Sequence, residues 1–127
     1  MTQQTRLRPR SLSGLTTVLT TARGNLYLTV SVDESGQPFE VFGQIGKAGA
    51  FEKGVTEMAC RLVSLHLRRG TPVAEIVAQC EGIQEMQPWT NMLPNGSSGW
   101  VLGISDAISH VLRPFAEGNG ANAQQAA

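Results

Sequence analysis

The sequence predicts an α+β domain: a small antiparallel sheet of about three strands, covered on one face by about three helices. Three observations predict it. Residues 15–45 hold runs of period-two alternation broken by turn chemistry, residues 50–82 change to a helical period, and a short helical segment follows a loop rich in Pro and Gly. Strands that precede the helices, rather than alternate with them, favour one sheet with its helices on a single side.

Leu15 to Thr21 is rich in Thr, Val and Leu, which suit a pleated surface. Asn25 to Val32 alternates, with Leu26, Leu28, Val30 and Val32 on one face and Tyr27, Thr29 and Ser31 on the other. Phe39 to Ile45 alternates again and places Phe39, Val41, Gly43 and Ile45 together. Between these runs, Asp33-Glu34-Ser35-Gly36-Gln37-Pro38 supplies turn residues, with Gly36 able to take positive φ, so the pair predicts a β-hairpin. After Gly46-Lys47-Ala48-Gly49, the residues Val55, Met58, Ala59, Leu62, Val63 and Leu65 recur at i, i+3, i+4 spacing. They predict a helix with that stripe inward and Arg61, Arg68 and Arg69 elsewhere, ended by Gly70. Thr71 as N-cap and Pro72 as first helical residue predict a second helix, with Val73, Ile76, Val77 and Cys80 inward and Gly82 as its stop. Residues 83–99 read as a long loop. Ser105 is expected to cap a last helix through Leu112, with Ile108, Val111 and Leu112 inward and Pro114 ending it.

A chain of 127 residues with 41% hydrophobic content has the length of one domain and the material for a core. At this size roughly two-thirds of the unfolded surface is buried on folding, so no disulfide or metal staple is needed. Residues 1–13 are polar, basic and interrupted by Pro9, which predicts an extended arm before a domain over 14–115. Residues 116–127 lack any large apolar side chain and predict a disordered tail. Ten basic residues balance ten acidic ones, so no global field gathers nucleic acid or a membrane surface. Cys60 and Cys80 are the only cysteines, too few for a secreted disulfide framework, and read as free thiols. No apolar stretch follows the early arginines, so neither a signal peptide nor a membrane span is expected and the protein reads as cytoplasmic.

Residue groupings for an active site are missing. His66 lies six residues after Cys60, on a different helical face, and a zinc site from Cys60, His66, Cys80 and His110 would need four unrelated positions to meet. No Gly-x-Ser-x-Gly elbow or Ser–His relay spacing occurs. No catalytic residue, metal ligand or cofactor is therefore expected. Gly46, Lys47 and Gly49, leading into a helix and joined by Arg23, form a candidate anion or phosphate site, since helix N-terminal N–H groups beside a lysine can cradle an anion. The lysine precedes the closing glycine, unlike a Walker sequence, and a tight strand-to-helix turn with a solvated lysine is the plainer reading. Arg6, Arg8 and Arg10 are candidates for contact with an acidic partner or phosphate, and a solvated terminus is their plainer reading. Trp89, Met92 and Trp100, with Met86, read either as an exposed partner-binding patch or as a lid over the core.

A resemblance is carried by several segments in one order and spacing. They are Arg8-Pro9-Arg10, Leu15-Thr16, Gly24-Asn25-Leu26-Tyr27-Leu28-Thr29-Val30, Gly36-Gln37-Pro38-Phe39-Glu40-Val41-Phe42, Gly46-Lys47-Ala48-Gly49, Thr56-Glu57, Arg61-Leu62-Val63-Ser64-Leu65 and Ser105-Asp106-Ala107-Ile108. From about Arg8 to Leu112 the chain resembles the TSCPD domain, the C-terminal accessory domain of adenosylcobalamin-dependent (class II) ribonucleotide reductases. The resemblance implies the scaffold and an accessory role. It also implies cysteines at three places where this chain has Arg23, Ala50-Phe51-Glu52 and Gly103-Ile104-Ser105-Asp106, so the chain reads as a variant without them.

The function expected is a non-catalytic binding or assembly module with a protein partner, a reductase catalytic subunit among the candidates. Open edges of a three-stranded sheet also predict a homodimer. The alternative is nucleic-acid or nucleotide binding through Arg6, Arg8, Arg10, Arg23 and the Gly46–Gly49 loop.

Overall fold

Alternation along the first three strands decides which way the sheet faces. The computed structural model describes residues 5–116. Strands β1 (Ser13–Thr21), β2 (Gly24–Val32) and β3 (Pro38–Ile45) form one antiparallel sheet in the order β1-β2-β3. Leu19 stands opposite Leu26, Leu28 opposite Gly43, and Val30 opposite Val41, so one face presents a continuous apolar surface. The β2–β3 turn is organised by Asp33, whose Oδ1 accepts from the N–H groups of Ser35 (2.9 Å) and Gln37 (3.0 Å), with Gly36 at φ 81°.

Helices α1 (Ala50–Arg68), α2 (Val73–Cys80) and α3 (Ile104–Ala116) supply the second layer. Helix α1 packs on β3, α3 crosses β2, and α2 packs chiefly on α3. The core joins Leu19, Leu26, Leu28, Val41 and Ile45 of the sheet to Cys60, Val63 and Leu67 of α1 and to Ile104, Ile108 and Leu112 of α3. The fold is thus α+β, with a three-stranded sheet and three helices as expected, and a second small sheet in addition.

The inward stripe of α1 differs from the expected one. Thr56, Cys60, Val63, Ser64 and Leu67 are buried, whereas Met58, Leu62 and Leu65 face solvent. The cause is the closeness of the helix to the strand. A Cβ added at Gly43 would lie 2.8 Å from both Cys60 Sγ and Thr56 Cγ2, so only small side chains fit between α1 and β3. Both stripes recur at helical period, and the narrower one wins the contact.

Each sheet edge is met by one polar side chain. On β3, Ser64 Oγ accepts from the N–H of Val41 (2.9 Å) and donates to its carbonyl (3.0 Å). On β1, Asn91 Oδ1 accepts from the N–H of Thr20 (2.7 Å), and Asn91 Nδ2 donates to the carbonyl of Thr20 (2.9 Å). Each side chain substitutes for the missing neighbouring strand at that position.

Asn91 belongs to a hairpin within residues 83–99, a segment whose composition predicts a loop. There β4 (Trp89–Met92) pairs with β5 (Ser98–Val101), the second strand running just past that segment. The turn closes through Leu93 N–H to Ser97 O (2.8 Å), with Gly96 at φ 87°. Four-residue strands with one solvent face leave too short an alternation to stand out from their turn residues.

Three helix boundaries also move. Helix α2 begins at Val73 with Pro72 as N-cap, while the Thr71 hydroxyl meets His66 Nδ1 (3.0 Å) instead of capping. Helix α3 begins at Ile104, one residue before the expected Ser105 cap; Glu85 accepts from a first-turn N–H, and Asp106 ties down two segments outside the helix. Asp106 accepts from Leu102 N–H (3.1 Å) and Gly82 N–H (2.9 Å), and Glu85 accepts from Ser105 N–H (3.1 Å). Pro114 lies inside α3, which continues to Ala116. So near the end a proline removes a single helical bond, to the carbonyl of His110. The remainder of the expected tail, 117–127, lies outside the described residues, as do residues 1–4 of the arm.

Two substitutions measure the α1–β3 contact. Ser64→Ala leaves the Val41 N–H without its acceptor and is expected to lower the unfolding free energy by about 1–3 kcal/mol. Gly43→Ala forces a methyl against Cys60 and Thr56 and is expected to cost about 1–3 kcal/mol. Urea denaturation of both, beside a neutral Ser98→Ala control on the exposed hairpin, reads the difference.

Candidate functional site

The β3–α1 connection reverses the chain in a few residues, and Lys47 takes φ 60° to do so. Gly46 N–H donates to Asn25 O (2.9 Å), and Gly49 is the N-cap of α1 with extended backbone and no side-chain cap. Arg23 reaches the same end of the domain through the first turn of α1, where its Nη1 donates to Glu52 Oε2 at 2.8 Å. Gly46, Lys47, Gly49 and Arg23 are therefore neighbours through this loop. The Glu52 carboxylate already complements both the N-terminal end of the helix and the arginine.

The arginine arm lies along the domain. Arg6 Nη1 donates to Asp33 Oδ2 (3.0 Å), its guanidinium carbon stands 4.7 Å from the Phe39 ring centroid, and its N–H donates to Arg68 O (3.2 Å). Arg8 Nε donates to Glu40, which is 2% exposed and is also approached by Arg68 at 4.0 Å. Arg10 is exposed, and its carbonyl lies 3.5 Å from Arg8 Nη1. Burial raises the Asp33 carboxyl, but the Arg6 hydrogen bond and the N–H groups of Gln37 and Ser35 outweigh it, so Asp33 titrates below the usual carboxylate range.

The second hairpin presents Trp100 and Met92 on one face, because Trp100 stands opposite Thr90 and Met92 opposite Ser98. Trp89 lies on the other face, opposite buried Val101. All three of Trp89, Met92 and Trp100 are exposed. The hairpin is held to α3 by His110, whose Nε2 lies 3.1 Å from Trp100 O and 3.2 Å from Asp106 Oδ2.

Among the described residues, no group of three or more His, Cys, Asp or Glu side chains is placed to hold a metal ion. Cys60 is buried and its thiol is pushed up to about 12, first by burial and then by Cys80. Cys80 is raised as well, by burial and by Glu85. Among the described residues, no helix is long and apolar enough to cross a membrane.

Two surfaces escaped the sequence reading. One is the outward stripe of α1, where Phe51, Val55, Met58, Leu62 and Leu65 follow 4-3-4-3 spacing and all but Val55 are exposed. The spacing is visible in the sequence, but its outward direction is not. The other is the outer face of the sheet around Tyr27 and Phe42, where the alternation shows a face without showing that no helix covers it.

The TSCPD domain profile matches residues 2–116. The chain belongs to the TSCPD domain family. This domain is known as an accessory domain of ribonucleotide reductases. No curated protein and no solved structure matches the chain. Two of the places where the TSCPD resemblance implies cysteine meet in space, for Arg23 and Glu52 form an ion pair there. The third place, Gly103–Asp106, forms the start of α3 in this TSCPD domain, where Glu85 accepts from Ser105 N–H.

Native-state thiol labelling tests the cysteine environment. Because the thiolate is the reactive form, Cys60 is expected to resist alkylation at neutral pH until the domain unfolds, with Cys80 faster but slow. Acid titration tests the arm. The depressed Asp33 carboxyl contributes stability in full above its unfolded value near 3.8 and loses it as pH falls through the lower folded value. Asp33→Asn should therefore be less stable than the parent at neutral pH, with the gap closing in strong acid.

Proposed function

We propose that this TSCPD domain is a non-catalytic docking module for a protein partner, with a ribonucleotide reductase catalytic subunit as the first candidate. One observation carries the reading: α1 turns an apolar seam to solvent. Met58 is 57% and Leu62 54% exposed, Phe51 more so, and all lie opposite the buried stripe of the same helix. A 4-3-4-3 seam is the pattern by which one helix receives another, and its run from Phe51 to Leu65 offers about 21 Å of contact. Exposed Trp100 and Met92 add a second apolar surface of the composition that interfaces favour.

The same seam supports self-association. Glu52, Lys53 and Glu57 leave the first half of α1 acidic by one, while Arg61 and Arg68, with His66, make the second half basic. Two copies laid antiparallel would set unlike charges beside each other around the apolar row. The nucleic-acid alternative through the arm and loop draws less support, since Arg6, Arg8 and Arg23 are each held by a carboxylate.

Co-expression with a reductase catalytic subunit, followed by gel filtration with light scattering, tests the reading. A complex that persists at high salt is expected. Leu62→Glu should weaken it by tenfold or more, as loss of a central apolar contact does. Because Leu62 is exposed, that variant keeps its fold, so a complex indifferent to it would refute the seam as the docking surface. Concentration-dependent dimerisation abolished by the same variant would establish self-pairing.

A further inference from the structure

The outer face of the sheet carries residues that the core does not explain. Thr16, Val18, Tyr27, Thr29, Phe42 and Gln44 alternate there with the buried positions. Tyr27 stands opposite Gln44 and Phe42 opposite Thr29, so the two aromatic residues occupy diagonal positions on adjacent strands, a spacing of about 7–8 Å between residue positions. Tyr27 is 42% and Phe42 52% exposed. The hydroxyls of Thr16 and Thr29 lie 2.7 Å apart beside them.

Helix α1 stands along the β3 side of this face. Lys53, Glu57, Arg61 and Arg68 of the helix join Tyr27, Phe42 and the two threonines around a groove of about 900 Å³. Three cations against one carboxylate give the groove a positive balance. Arg61 pairs with Glu57 one helical turn away, but both side chains are largely exposed, and such pairs exchange readily for a better acceptor. Arg68 reaches Glu40 only at 4.0 Å, and its Nε is buried without a hydrogen-bond partner. No carboxylate among the described residues pairs with Lys53. Half-exposed rings, hydroxyl and amide groups on the same face and cations on one wall match one ligand chemistry: an aromatic base carrying phosphate.

We infer that this groove binds nucleotides, with a base stacked on Tyr27 or Phe42 and phosphate held by Lys53, Arg61 and Arg68. Of the arm and loop residues only Gly46 borders the groove, through its backbone, and the site uses none of the apolar seam on α1, so it stands apart from protein docking. Two rings on adjacent strands suit either a free nucleotide or two successive bases of a single strand. These are two sources of the same chemistry.

Binding to the full chain separates them. ATP and inorganic tripolyphosphate are titrated by calorimetry, and a labelled mixed-sequence single-stranded oligonucleotide by fluorescence anisotropy. Binding of ATP well above tripolyphosphate supports a free nucleotide. Oligonucleotide binding well above ATP supports a single strand. In either case Phe42→Ala should weaken binding tenfold or more, and Phe42→Trp should restore it. Arg61→Gln should weaken binding and reduce the salt slope by about one. Tripolyphosphate binding as tight as ATP, or indifference to Phe42→Ala, overturns the stacking role. Absence of binding by both nucleotide probes overturns the site. Phe42 is half-exposed, and an unchanged thermal melt of each variant shows that a loss of binding is not a loss of fold.

Discussion

The close approach of α1 to β3 at Gly43 is the constraint on which most of the molecule depends. With no side chain on that strand position, Thr56 and Cys60 settle onto the sheet, and Ser64 arrives within hydrogen-bond distance of both backbone groups of Val41. The helix is thereby fixed in rotation as well as position. Its larger apolar residues have nowhere to go but outward. A stripe that would be core in a looser packing becomes a solvent-facing seam, and the cationic side of the helix comes to wall the outer face of the sheet.

The edges of the sheet follow a parallel logic. Strand edges invite further strands, and here Ser64 on one side and Asn91 on the other satisfy a backbone N–H and C=O pair with a single side chain each. Strand-to-strand pairing of two copies is obstructed at Val41 and Thr20, so the expectation of a dimer through open edges loses its simplest route. The hairpin that carries Asn91 is anchored at its other end by His110 and Asp106, so Trp100 and Met92 are displayed on a braced element.

The charged residues divide into two groups by how firmly they are held. Arg6 and Arg8 are each paired with a carboxylate that backbone hydrogen bonds or burial also fix, and Arg23 pairs with half-buried Glu52 at positions where the TSCPD resemblance implies cysteine. Such pairs hold the arm and the start of α1 in place. Arg61, Arg68 and Lys53 have weaker internal commitments and border open aromatic surface. The distinction separates charge committed to the fold from charge that still faces solvent.

Much of this protein was legible without coordinates. The β2–β3 hairpin, its inward face through Leu26, Leu28 and Val30 and its Asp33–Gly36 turn follow from alternation and turn chemistry, because both are local properties of consecutive residues. The register shift at Ser31 and Val32, which buries Ser31, does not. The α+β class follows from the order of periods, and the TSCPD family from segments in fixed sequence. What only the tertiary structure decided is everything that depends on two distant residues meeting. Helical spacing offered two stripes on α1, and the absent Cβ of Gly43 chose between them. Arg6 and Arg8 read as free because their partners, Asp33 and Glu40, lie about thirty residues away. Strands β4 and β5 are too short to announce themselves, and Asn91 reads as a loop residue until its amide is seen against Thr20. Local chemistry determined the elements, and packing distance determined which of their faces were left to act.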